Sequence, residues 1–379
     1  MKEGHNDMKI TCDKAKLIEA LSLGQRALSP NSTLEAIKGY LIQGTEEGIS
    51  VTSYNLETGI VTNIPATSVA GESTVINGRI LFDIIRRLPE DTLSIEVNEK
   101  GVAVIRSGNS EFNIMTLPAQ EYPDMPRINS DRQLTLPQGL LKSMISQTIF
   151  AVSQSEYKPI LTGCCFDIRG NILRVVALDT LRLSMREEEI ATIDSTDSYS
   201  FVVPGAALRE VEKILKDSDE DMVNICLSRK HIIFDMGQSR LFCRLLEGEY
   251  TKYDAIIPKE NRYSVLANNK SFLESLERVS ILINEQQKTH VRLKFEKNSI
   301  HFSTETLLGN GYDECVCNGD AEGVEIGFSS RFLSDAIRSV DADECELAFS
   351  GTLSPFVIRP VTGNRFLHII APVRIAARN

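Results

Sequence analysis

The sequence predicts an α+β chain of three tandem domains, each with two helices packed on antiparallel sheets. Three observations predict it. First, 379 residues are too many for one ordinary core. Second, an amphipathic run followed by paired strand-like segments occurs three times. Third, each copy continues into a strand–helix–strand block and a closing hairpin. The second helices start near Arg79, Ala206 and Arg331, about 125 residues apart.

The first amphipathic run is Leu17–Leu28, and it recurs at Leu140–Val152 and Phe272–Ile283. In the middle copy Leu140, Leu141, Met144, Ile145, Ile149 and Val152 fall on one helical stripe, not on a strand alternation. Strand pairs follow from Gly39, Gly163 and Val291, each with a Gly- or Asn-containing turn. The strand–helix–strand blocks open at Thr74, Ser200 and Glu325. Each repeat closes with a hairpin around Gly or Asn: VAVIRSGNSEFNIMTLP, HIIFDMGQSRLFCRLLEG and FVIRPVTGNRFLHIIAP.

Boundaries follow from the punctuation. Residues 1–7 are a polar leader ahead of the strand-like MKITC. Domain one spans 8–129 and ends in AQEYPDMPRINS, where two prolines interrupt any regular element. Domain two spans 132–258, and the joint PKENRYS separates it from domain three, 261–379. Each has about 120 residues, enough for its own core.

The leader has no apolar h-region, and no stretch approaches the ~18–20 apolar residues of a membrane span. The expected location is the cytoplasm, with no membrane partner. All eight cysteines are then reduced, and most sit in apolar strand-like runs, such as Cys226 in VNICL and Cys243 in LFCRLL.

Catalytic constellations are missing. The chain has no GxxxxGK[ST], GxGxxG, GxSxG or HExxH motif. His231, His290, His301 and His368 stand singly in or beside strands. Cys315 and Cys317 form CxC, not the CxxC of a zinc site, and read as two core thiols. Adjacent Cys164 and Cys165 would point to opposite faces of a strand. Asp217, Asp219 and Asp221 imitate a calcium loop, but Met222 holds the glycine position and Ser228 the bidentate-glutamate position. No metal and no cofactor is expected.

The net charge of −11 argues against a chain that coats nucleic acid with its whole surface. The proposed helices, residues 13–28, 79–88, 138–152, 206–217, 269–283 and 330–340, are different. They hold 14 Lys/Arg against 9 Asp/Glu, leaving a net −16 on the remainder. Either the helices face a polyanion, or Lys and Arg stand there as good helix formers. With no arginine stripe interleaved with aromatics, the expected contact is phosphate-directed and sequence-independent.

These repeats resemble the DNA polymerase III beta subunit family, the bacterial sliding clamps. The resemblance covers Met8 to about Ile375. It is carried by RILFDIIRRLPED from Arg79, FNIMTLPAQEYPDMP from Phe112, LTGCCFDIRGNILRVVALDTLRLS from Leu161 and HIIAPVRI from His368. It implies three clamp-type domains forming half of a ring. Two chains would close head to tail around double-stranded DNA, with the helices facing the duplex. The implied function is topological: a processivity factor without an active site, tethering partners to DNA. The implied partners are a second copy, the DNA polymerase III catalytic subunit, the clamp loader and other proteins with a clamp-binding peptide motif.

Carried over residue by residue, the peptide pocket would use Leu161, Leu178, Asp179, Thr180, Leu181, Arg182, Leu183, Thr251, Ile256, Pro355, Ile369, Ala371, Pro372, Val373 and Arg374. Arg182 is the expected polar wall. Leu178, Thr180, Leu181 and Thr251 depart from the family pattern, and Ala376–Asn379 extends past its usual end. The resemblance places Asn31, Arg79 and Lys158 toward DNA; Asn31 replaces a residue that is commonly basic. It places Phe112 and Ile114 against Ile281 and Leu282 of the other chain. The competing readings are a dimeric DNA-binding regulator and an enzyme with an unrecognised site around Cys164 and Cys165.

Overall fold

The computed structural model describes residues 8–68, 73–126, 131–191, 198–283 and 290–375. The leader 1–7 and the tail 376–379 lie outside the described residues. The chain divides into two compact units, Met1–Leu140 with Lys213–Leu245, and Leu141–Glu212 with Leu246–Asn379. The division cuts through the second sequence repeat, because each half of that repeat extends a neighbour's sheet.

The first repeat comprises β1 (Met8–Asp13), α1 (Lys14–Gly24), β2 (Gly39–Gly44), β3 (Gly48–Tyr54), β4 (Thr58–Ser68), β5 (Ser73–Asn77), α2 (Gly78–Arg87), β6 (Thr92–Val97), β7 (Val102–Ser107) and β8 (Ser110–Pro118). Its strands run antiparallel in the order β1-β6-β7-β8-β5-β2-β3-β4, and β4 returns to β1 through Cys12↔Ala66. Helices start where a side chain accepts orphan amides: Lys16 N donates to Asp13 at 2.9 Å, and Ile80 N to Asn77 at 3.1 Å. Leu17, Leu21, Leu81 and Ile85 fill the space between these helices and Ile10, Ile42 and Ile95. Truncating any of them to Ala would cost about 2–5 kcal/mol.

The second repeat comprises β9 (Arg132–Pro137), α3 (Gln138–Ser146), β10 (Gly163–Arg169), β11 (Ile172–Leu178), β12 (Arg182–Glu189), β13 (Ser198–Pro204), α4 (Gly205–Ile214), β14 (Met222–Leu227), β15 (His231–Asp235) and β16 (Ser239–Arg244). The third comprises β17 (Tyr263–Asn268), α5 (Asn269–Ser280), β18 (Val291–Phe295), β19 (Ser299–Thr306), β20 (Gly309–Gly319), β21 (Glu325–Phe328), α6 (Ser330–Arg338), β22 (Glu344–Phe349), β23 (Phe356–Pro360) and β24 (Phe366–Ile370).

The two four-strand blocks of the first repeat, β1-β6-β7-β8 and β5-β2-β3-β4, recur in the others. In the first unit β16-β15-β14-β9 continue the sheet, joined by β4–β16 from Thr58↔Cys243 to Thr62↔Ser239. In the second unit β13-β10-β11-β12 join the third repeat by β12–β24, from Arg182↔Ile370 to Arg186↔Phe366. Each joint therefore pairs the fourth strand of one repeat with the eighth strand of the next. The third repeat packs an aromatic core of Phe272, Phe295, Phe302, Phe328, Phe349 and Phe356.

One expectation needs correction. Helices one, three, four, five and six end before the expected 28, 152, 217, 283 and 340; the first and third tighten into 3₁₀ turns at Gln25–Ala27 and Ile149–Ala151. At the third, Thr148 Oγ1 bonds back to Met144 O at 2.8 Å and Ile145 O at 3.2 Å, which competes with continued helix. Cys164 and Cys165, adjacent on β10, are both buried, because that strand is covered on each side.

Candidate functional site

The β3–β4, β11–β12 and β19–β20 hairpins all close through two-residue loops: Leu56–Glu57, Thr180–Leu181 and Leu307–Leu308. In each, the residue before the loop caps it. Asn55 Oδ1 accepts from Glu57 N and Thr58 N, and Asp179 Oδ1 accepts from Leu181 N and Arg182 N. Thr306 Oγ1 accepts from Leu308 N at 3.1 Å. Turn chemistry of this kind holds a loop without a glycine.

The β11–β12 loop carries the implied peptide pocket. Leu161, Leu178, Leu183 and Ile369 share one apolar cluster with Tyr253 and Val357. They are at most 5% exposed, so they form a floor and not a wall. Leu181 stands half-exposed above them, with Thr180, Thr251, Ile256, Pro355 and Arg374 at the surface. The segment after β24 is tied down by Ala371 N to Leu181 O at 2.7 Å and Val373 N to Gly327 O at 2.8 Å. Ala371, Pro372 and Val373 are partly exposed there, as is Asp179.

Arg182 corrects an expectation. Its side chain is 3% exposed and offers no polar wall. Nη1 donates to Asp335 Oδ2 of α6 at 2.8 Å, and Nε to Asp179 Oδ2 at 3.1 Å. The guanidinium lies 4.3 Å from the Phe332 ring centroid and 5.7 Å from that of Phe150. It fixes the loop from behind.

The observed helices hold 12 Lys/Arg against 7 Asp/Glu, so the cationic share survives their shortening. Arg79 is exposed on the first turn of α2, and Lys158 is exposed ahead of the 3₁₀ turn Pro159–Thr162. Asn31 is exposed in a turn of the first unit. Three other helix cations are partly neutralised, Arg87 by Asp83, Arg338 by Glu277 and Arg278 by Asp313.

Phe112 is 41% exposed on β8, with Ile114 half-buried against the first core. Ile281 is 81% exposed just past α5, with Leu282 half-buried. Sequence reasoning missed Met115, Tyr312, Val316, Leu307 and Leu308, all 62% exposed or more. The signal available was the Leu-Leu pair in a two-residue loop, where apolar side chains have no intrahairpin partner.

Reactive groups are suppressed. Burial pushes the thiols of Cys12, Cys164, Cys165, Cys243, Cys315 and Cys345 up to about 12, leaving no ready thiolate. Asp221 pairs with Lys216 at 2.8 Å, an ordinary solvated ion pair. Among the described residues, no group of three or more His, Cys, Asp or Glu could hold a metal ion, and no helix is long and apolar enough to cross a membrane.

Fold and site together define a scaffold built from three copies of one module. Comparison with known proteins gives the class its family. The DNA polymerase III beta subunit N-terminal, central and C-terminal domain models match residues 8–126, 135–252 and 254–374. The Bacillus subtilis beta sliding clamp is 32% identical over 97% of this chain and 100% of its own. The crystal structure of the Bacillus subtilis DNA polymerase sliding clamp superposes with a TM-score of 0.93 at 31% identity, covering 98% of this chain and 100% of that one. The Thermotoga maritima DNA polymerase III beta subunit gives 0.87 at 25% identity, covering 97% and 100%. The chain belongs to the DNA polymerase III beta subunit family, the beta sliding clamps. Its work is therefore processivity in DNA replication, not catalysis.

Proposed function

We propose that two copies of this chain close head to tail into a ring around duplex DNA. The ring slides without sequence specificity. It tethers the DNA polymerase III catalytic subunit, the clamp loader and other motif-bearing partners through the cleft at the β11–β12 loop. On this reading the domains are 8–129, 132–258 and 261–379, and the protein works in the cytoplasm.

One observation carries the reading: the fourth-to-eighth strand joint. It occurs at β4–β16 and again at β12–β24. A third such joint needs β20 and β8, the fourth strand of repeat three and the eighth of repeat one. Among the described residues, both have an unpaired edge. β8 pairs with β5 only from Thr116 to Pro118, and β20 pairs with β17 only from Cys317 to Gly319. Exposed sheet edges invite a partner strand.

The register follows. Ile114, Cys243 and Ile370 hold one position, facing Ala103, Ile232 and Phe356 of the seventh strands. Cys243 meets Thr58 and Ile370 meets Arg182, each the first residue after a two-residue loop. By the same rule Ile114 of one copy faces Gly309 of the other, and Phe112 faces Gly311. A Cβ on Gly311 would lie 3.2 Å from Val279 and 3.5 Å from Leu282. The missing side chain leaves room for the Phe112 ring against Leu282 and the exposed Ile281.

Arg79, Lys158 and the other helix cations supply screened phosphate contacts for a sliding duplex. Above the packed floor, Leu181, Thr251, Ile256, Pro355, Pro372, Val373 and Arg374 offer an apolar and polar rim for a peptide's anchors.

The test has two parts. Light scattering should give about 84 kDa, twice the 42.2 kDa of one chain, and Phe112→Asp should give a monomer. Rings assembled on circular duplex should stay bound through gel filtration and leave when the circle is cut once. A stable wild-type monomer, or equal retention on cut and uncut DNA, overturns the reading.

A further inference from the structure

We propose that Leu308 and Met115 form a second apolar contact between copies, on the face of the joined sheet away from Phe112. The inference rests on the dimer reading above and extends it to residues at the tip of the β19–β20 hairpin.

The two joints inside the chain extend one bond past their ladders. Beyond each ladder, the last loop residue accepts one more backbone bond. Arg244 N donates to Glu57 O at 3.2 Å, and Ala371 N donates to Leu181 O at 2.7 Å. Glu57, Leu181 and Leu308 are the second residues of the three two-residue loops. Arg244, Ala371 and Met115 each follow the shared position Cys243, Ile370 and Ile114. In the third joint Met115 N of one copy would therefore donate to Leu308 O of the other.

Side chains obey the pleat. In an antiparallel pair, directly opposed residues project to one face, and neighbours along a strand alternate. Gly311 looks toward Val279 and Leu282 of the α5 side. Leu308 is an odd number of residues away, and the alternation carried one residue beyond the ladder puts it on the other face. Ile114 packs into the first core, so Met115 projects away from it. Leu308 is 79% exposed and Met115 71%. The register was set by hydrogen bonding alone, yet it brings together the most exposed large apolar side chain of β8 and a nearly bare leucine.

The occupant is a second copy of this chain. Scattered exposed leucines are ordinary on a surface, but these two belong to opposite, unpaired edges. Other outer-face pairs of this register are polar on at least one side, Asn310 with Asn113 and Tyr312 with Glu111. The apolar contact is thus confined to the tip, where it closes the end of the ladder against water.

The experiment measures dimer dissociation by sedimentation across a dilution series at fixed salt. Leu308→Asp and Met115→Lys are made singly and together, with Phe112→Asp as reference. Each single variant should raise the dimer Kd about tenfold. The pair should recover to within about threefold of wild type, because the two charges would then face each other. Recovery also shows that neither variant acts by unfolding the protein. If wild type dimerises and Phe112→Asp breaks it, but both tip variants stay within about twofold, this proposal fails and the dimer reading stands. The proposal also fails if the paired variant is weaker than either single one. If wild type does not dimerise, the dimer reading fails and takes the proposal with it.

Discussion

Arg182 Nη1 donates to Asp335 Oδ2 at 2.8 Å, a buried bond between the strand that follows the β11–β12 loop and helix α6. The guanidinium is shut between Phe332 and Phe150. Its role is to hold Asp179 and the loop Thr180–Leu181 in place from inside the protein.

Removing one partner of that pair should cost more than removing both. Asp335→Ala leaves a buried guanidinium with Asp179 alone, and should lose about 2 kcal/mol of stability. Arg182→Met with Asp335→Leu should lose less. Urea unfolding of the three proteins checks the order; equal losses would mean the pair is not coupled.

His368 sets an acid limit. It is wholly buried, with Nδ1 2.7 Å from Ser184 Oγ and Nε2 3.1 Å from Ser339 Oγ. Burial lowers its pKa from 6.5 to about 3. The unfolded chain then takes up a proton that the folded chain refuses. Its contribution is whole above pH 6.5 and is lost as pH falls toward 3, at about 1.4 kcal/mol per pH unit. Unfolding free energies from pH 7 to 4 should fall more steeply for wild type than for His368→Gln, by one proton's worth.

Leu56 is the one described non-glycine residue with positive φ, at 76°, and it is 54% exposed. An L-residue with a Cβ is strained there, and little packing offsets it. Leu56→Gly should raise stability by up to about 1 kcal/mol. A thermal melt showing loss instead would reveal a contact for Leu56 in the assembled protein.

Thiol labelling should follow burial. Cys226 is only partly buried, whereas the other seven cysteines are buried. In the native protein at pH 8, Cys226 should react first and the rest only on the timescale of opening. Mass spectrometry of partial labelling reads the order. Early modification of Cys164 or Cys165 would contradict the packed β10.

Much of the fold was legible from residue order. Leu140, Leu141, Met144 and Ile145 marked a helix because their spacing repeats with its turn, and the hairpins announced themselves by Gly and Asn. The helix ends were less legible, since Thr148 turns its hydroxyl onto the preceding carbonyls. Of the residues the resemblance assigned to a peptide pocket, Leu161, Leu178, Leu183 and Ile369 share one buried apolar cluster. Arg182 was misread because a charged side chain beside a loop looks exposed in sequence, and nothing local announces Phe332 or Asp335.

Residue order by itself determined the threefold repetition, the kind and succession of elements, the cationic share of the helices and the absence of familiar catalytic motifs. These are local properties, written in periodicity and composition. Only the tertiary structure decided which strands join neighbouring repeats, which edges stay open at β8 and β20, and that Arg182 faces inward. Strand pairing is a long-range choice, set by burial and by backbone groups that every residue shares, so side-chain identity along the chain does not encode it directly.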